Sequence, residues 1–179
     1  PRFGADVALV TSNSVDFNGI ENVTSKNKNL FVVDGPGEYE VQGIFVRGAI
    51  SGSKYKDKER INTVYSLILD GMNIAFLGAL NSADLDDRAK SVLGEIDILF
   101  VPIGNEGTLN PADANKLATK LGAKIVIPMH YGEVGEKEAL KTFLKESGSE
   151  DVKPLEKLTI KKKDLEGKQG DVVVLKSMS

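Results

Sequence analysis

Thr63-Val64-Tyr65-Ser66-Leu67-Ile68-Leu69-Asp70-Gly71-Met72-Asn73-Ile74-Ala75-Phe76-Leu77 reads as two β-rich runs around a two-residue Asp-Gly turn. Asp-Gly supplies the left-handed backbone that a tight hairpin needs, so the centre of the chain is antiparallel sheet. Toward the N-terminus, Glu38 to Val41 and Ile44 to Ala49 form a second hairpin around Gln42-Gly43. The polar, charged stretch Ser51 to Arg60 is expected to be a loop between these pairs. Leu30 to Val33 is a short buried strand, followed by an Asp34-Gly35-Pro36-Gly37 turn. Asp6 to Thr11 is apolar enough for a strand buried on both faces. It opens into the polar loop Ser12 to Gly19.

Beyond Gly78 the period changes. Ser82 is expected to cap a helix reaching Leu93, with Asp84, Asp86 and Asp87 at its positive end. Ile96 to Ile103 is a buried strand. Asn110 caps the next helix, with Pro111 at its first position and Asp113 completing a capping-box variant. Leu117 and Leu121 line its inner face and Gly122 ends it. Ala123 to Ile127 is a strand, Glu136 to Glu146 a helix, and Leu158 to Lys161 and Val172 to Leu175 are closing strands. Hairpins followed by β-α-β-α-β fit either two packed sheets or one mixed sheet with helices outside.

At 179 residues the chain is expected to be a single domain over 1–179. Its 23 Lys+Arg against 26 Asp+Glu give −3, which offers no general attraction to a phosphate backbone, and no nucleic-acid partner is expected. With no apolar run near the ~20 residues of a membrane span, no membrane partner is expected either, and the cytoplasm is the expected compartment. There is no Cys, which removes disulfides, thiolate metal sites and Cys nucleophiles. A single His, His130, removes any site needing two imidazoles.

The pieces Leu9-Val10-Thr11, Pro36-Gly37-Glu38-Tyr39-Glu40-Val41, Phe76-Leu77-Gly78, Asp97-Ile98-Leu99-Phe100-Val101-Pro102 and Val126-Ile127-Pro128-Met129-His130-Tyr131 occur in that order. Together they resemble the metallo-β-lactamase superfamily, and within it the branch of zinc-dependent hydrolases related to ascorbate-phosphate lactonase. The resemblance runs from about Ala5 to Leu175. It implies a layered α/β fold, an αββα sandwich with a metal site between the ends of the two sheets. It also implies one or two strands ahead of Ala5, which this sequence lacks. The sheet edge they leave is expected to accept a partner strand or a second copy of the chain.

The same resemblance implies a Thr-His-x-His-x-Asp-His motif where this chain reads Thr11-Ser12-Asn13-Ser14-Val15-Asp16-Phe17. Ser12, Ser14 and Phe17 stand in the three His positions. A further family His is expected near Ser51 to Lys54, where there is none, and the family's bridging Asp falls on Ala79. Asp16 and His130 are the metal positions that survive, as vestiges. Zinc needs about three protein donors in a catalytic site, serine hydroxyls stay protonated near neutral pH, and Phe and Ala offer no donor at all. Without the ion, no water is activated.

Three readings follow. In the first, a decayed metal site leaves a non-catalytic binding or scaffold module with no cofactor. In the second, a lactonase-like hydrolase keeps a weak or mononuclear zinc. In the third, Ser12 or Ser14, His130 and Asp16 make a serine–histidine–acid set. Among the remaining motifs, Asp34 to Glu38 reads as a tight turn rather than an anion nest. Gly104 to Thr108 reads as a loop with a cap, and Lys161-Lys162-Lys163 as a solvated face.

Overall fold

A computed structural model of the chain describes residues 3–14, 17–25, 30–55, 58–132 and 134–176. Its strands are β1 Phe3–Ala5, β2 Val7–Leu9, β3 Val23–Ser25, β4 Phe31–Val33, β5 Gly37–Val41, β6 Ile44–Tyr55, β7 Lys58–Leu69, β8 Met72–Phe76, β9 Ile98–Pro102, β10 Ile125–Met129 and β11 Asp171–Val172. Its α-helices are α1 Asp87–Leu93, α2 Pro111–Leu121 and α3 Ala139–Glu146. Seven strands form one sheet in the order β11-β10-β9-β8-β7-β6-β5. The β5–β8 part is antiparallel and the β8–β11 part parallel, as hairpins followed by β-α-β-α-β require. The short pairs β1–β3 and β2–β4 are parallel.

Both two-residue turns have positive φ at both central residues, 50° and 73° at Asp70-Gly71 and 52° and 78° at Gln42-Gly43. That geometry matches the twist of the strands it joins. The expected loop at Ser51 to Arg60 is instead the extended end of the β6–β7 hairpin, paired Ser51↔Asn62, Ser53↔Arg60 and Lys54↔Glu59. Its polar residues alternate with the strand period: Ser53 and Asn62 are buried while Gly52 and Lys54 are exposed. Polarity marks a loop only where the polar side chains reach water, and Ser53 and Asn62 do not.

Other boundaries shift for local reasons. Asp86, not Ser82, caps α1, its Oδ1 accepting from the Ala89 N–H at 2.7 Å. Ser82 Oγ accepts instead from the Asp84 N–H in a local turn. Asn110 caps α2 as expected, accepting from the Asp113 N–H at 2.9 Å, and Gly122 ends it with φ 65°. The expected strand Asp6 to Thr11 is shorter and divided: Asp6 separates β1 from β2, and its carbonyl accepts from Phe31 N–H. Leu158 to Lys161 forms no strand, and the closing region contributes only β11 and an isolated Leu155–Leu175 bridge.

Alternation along the strands sorts side chains into two layers. On one face, Ala49, Val64, Ala75, Leu99, Val101 and Val126 pack against Ala89, Leu93, Leu117 and Phe143 of the three α-helices. On the other, Val46 and Tyr65 meet Val33, Val7 and Leu9 of the short strands. Farther along that face, Met72, Ile98, Ile125 and Ile127 meet Leu165 and, partly buried, Leu158 and Ile160. The register aligns Tyr65, Phe76, Phe100 and Ile127 in one row across this face. Phe76 and Phe100 stack at 4.4 Å and 4°. Gly48, opposite Tyr65, is a space requirement, since a Cβ there would lie 2.8 Å from the Tyr65 ring.

Candidate functional site

His130 ends β10, with φ 60°, a left-handed conformation uncommon for a residue with a side chain. Two glycines make room for this turn. A Cβ on Gly104 would fall into the His130 carbonyl oxygen and 3.0 Å from Nδ1, and a Cβ on Gly135 would lie 2.6 Å from the same oxygen. The backbone thus fixes where the imidazole stands. Phe17 stacks on it, with ring centroids 4.7 Å apart and planes at 18°.

Thr11, Phe17, Phe76, Gly78, Met129, His130 and Val134 line a cleft of about 290 Å³. Its wall is mostly carbon. Ala79, in the position of the family's bridging carboxylate, is fully buried, and its N–H donates to Asn62 Oδ1 at 2.8 Å. Asn62 Nδ2 donates to Leu77 O at 2.9 Å and to Ser51 Oγ at 2.8 Å. This carboxamide therefore clamps the turn after β8 from both sides. Thr11 closes on the same turn, because a Cβ on Gly78 would run into the Thr11 side chain and Asn62 Oδ1. Sequence reading missed Asn62; the available signal was a carboxamide at an inward strand position between Ile61 and Thr63.

Asp16 lies outside the described residues. Ser12 and Ser14 are buried in the loop after β2, where Ser14 N–H donates to Ser12 O. Ser14 Oγ makes no hydrogen bond, so it is not joined to His130 as a serine nucleophile would be. Ser51 to Lys54, expected to lie in a loop where the resemblance implies a His that this chain lacks, is part of strand β6. The Gly104 to Thr108 segment spends its N–H groups internally, Asn105 N–H on Leu109 O and Glu106 N–H on Gly104 O, as an ordinary loop does. Lys162 is no solvated bystander: its Nζ lies 2.6 Å from Asp97.

The described part of this wall offers few donors for the zinc implied by the resemblance. Among the described residues no three of His, Cys, Asp or Glu converge on one point. Phe17, stacked on the one imidazole, and Ala79, where the resemblance implies a bridging carboxylate, carry no donor atom in their side chains.

Two clefts flank Arg60, which sequence reading also missed. One, of about 470 Å³, includes Ser12, Asn13, Asp34, Glu59 and Arg60 in its wall. The other, of about 320 Å³, is lined by Asn13, Ser14, Asn18, Glu21 and Arg60. Among the described residues no helix is long and apolar enough to cross a membrane.

Comparisons with known proteins agree with this architecture. A family model described as a β-lactamase superfamily domain matches residues 1–130. A UPF0173 metal-dependent hydrolase of Listeria innocua is 31% identical over 118 residues, 63% of this chain and 49% of the relative. One from Bacillus velezensis is 32% identical over 108 residues, 55% and 46% of the two chains. The chain spans about half the length of the curated relatives it matches. A Thermotoga maritima structure, described as a candidate Zn-dependent hydrolase of the metallo-β-lactamase superfamily, superposes with TM-score 0.69 at 29% identity, covering 98% of this chain and 84% of that one. Igni18, a metallo hydrolase of Ignicoccus hospitalis, shares the fold with TM-score 0.61 at 15% identity, covering 95% and 76%. With its layered α/β fold and its matched segment, the chain belongs to the metallo-β-lactamase superfamily, a family of metal-dependent hydrolases.

Proposed function

We propose that this domain is a non-catalytic binding or scaffold module that keeps the fold of metal-dependent hydrolases without their metal centre. The observation that carries the reading is the wall of the His130 cleft. Phe17 and Ala79, at positions where the resemblance implies a histidine and a bridging carboxylate, contribute side chains with no donor atom. Two histidine positions are serines, whose protonated hydroxyls are poor zinc ligands. No hydrolytic step is assigned to the residues that remain.

Metal analysis tests this directly. Purified protein is expected to carry well under one equivalent of zinc, and chelators are expected to leave its melting temperature unchanged. Stoichiometric zinc together with chelator-sensitive hydrolysis would instead establish the second reading, a lactonase-like hydrolase.

A further inference from the structure

We infer that Arg60 and the serine hydroxyls around it form a binding site for a small oxyanion, a phosphate or a carboxylate. This names the ligand class of the proposed binding module and rests on that reading. Arg60 is half-buried near the end of the β6–β7 hairpin where Tyr55 pairs with Lys58. Its Nη1 donates to the Asn13 carbonyl at 2.9 Å, which ties it to the Ser12–Ser14 loop. Its Nε is buried and has no hydrogen-bond partner. None of the ion pairs among the described residues includes it.

Two more buried polar atoms without partners belong to its immediate neighbours. Ser53, 5% exposed, faces Arg60 across the β6–β7 ladder, and Ser14, 9% exposed, shares a cleft wall with it. Both Oγ atoms lack a partner. Folded proteins leave few such atoms, and a guanidinium Nε with two hydroxyls of neighbouring residues needs a common explanation.

The chemistry of the three atoms narrows the ligand. Nε–H can only donate, so the ligand must accept there, and each hydroxyl can donate as well. A cation with no acidic partner among the described residues favours a charged acceptor. The planar edge of a guanidinium matches two oxygens of one carboxylate or phosphate. Glu21 in the smaller cleft and Asp34 and Glu59 in the larger one are exposed. These carboxylates repel extended polyanions and leave room for a small anion held against Arg60 itself.

The test follows the arginine Nε–H signals of the full ¹⁵N-labelled chain by NMR, with the Arg60 signal identified by its loss in Arg60→Lys. Inorganic phosphate and sodium acetate are titrated separately at constant ionic strength, with zinc content measured on the same sample. The expected result is a saturable shift of the Arg60 signal with one of the two, which also identifies the source class. Binding, read in parent and variants alike from the backbone amide signals of Ser14 and of position 53, is expected to weaken by about tenfold in Arg60→Lys, which keeps the charge but loses the fork, and by about threefold or more in Ser53→Ala. A shift equal to that given by sodium chloride, or no shift, overturns the inference. So does Ser53→Ala binding as tightly as the parent. Failure with zinc absent leaves the non-catalytic reading standing, whereas stoichiometric zinc removes that reading whatever the anion does.

Discussion

Asp97 is the most heavily engaged carboxylate among the described residues. It is 4% exposed and receives Lys124 Nζ at 2.7 Å, Lys162 Nζ at 2.6 Å and the Asn73 N–H at 2.9 Å. Burial by itself would push its carboxyl up; the two lysines and the backbone donor together outweigh burial and hold it below the ordinary carboxylate value. A depressed folded value gives stability that is complete above the unfolded pKa of about 3.9 and is lost as pH falls through the folded one. Asp97→Asn is expected to cost about 1–3 kcal/mol at pH 7, a figure held down by the exposure of the lysine heads. In denaturant melts across pH, the gap between parent and variant should close below about pH 4; a constant gap would mean that charge is not the cause. At the same scale Tyr65 is buried, its O–H donating to Val10 O at 2.9 Å. Burial pushes its pKa up to about 12. A raised folded value gives stability that is complete below pH 10 and lost as pH rises toward 12. Tyr65→Phe should lack that alkaline loss and be weaker by about 1–2 kcal/mol at pH 7.

Elements were legible wherever their signal is local. Asp70-Gly71 and Gln42-Gly43 specify their hairpins by backbone preference alone, and Asn110-Pro111 with Gly122 marks both ends of α2. Removing the cap with Asn110→Ala is expected to cost about 1 kcal/mol, read as a lower melting temperature with no change of fold. Elements whose boundaries depend on distant partners were misread. The Tyr55–Lys58 end of β6–β7 is polar in sequence, yet its inward residues are covered by the loop after β2 and by the turn after β8. No window of ten residues contains that information. The same holds for β3, whose partner is β1 across some twenty residues of chain.

For the whole molecule, the closing region is part of the core without being part of the sheet. Leu165, 2% exposed in a short 3-10 turn at Lys162–Leu165, packs among Met72, Ile98, Ile125 and Ile127. Leu165→Ala is expected to cost about 2–4 kcal/mol and to lower the single unfolding transition as a unit. A separate early transition would show instead that residues 155–176 fold apart from the sheet. The sequence by itself determined the succession of hairpins and β-α-β-α-β, the family resemblance, and a chain with one imidazole and no thiol, because backbone preference, hydrophobic period and residue identity are local properties. Only the tertiary structure decided that Phe17 lies against His130, that Asn62 clamps the turn carrying Ala79, and that Arg60 stands among buried serines. Those facts depend on chain segments brought together by burial and by strand register, and register is set by the fit of whole faces.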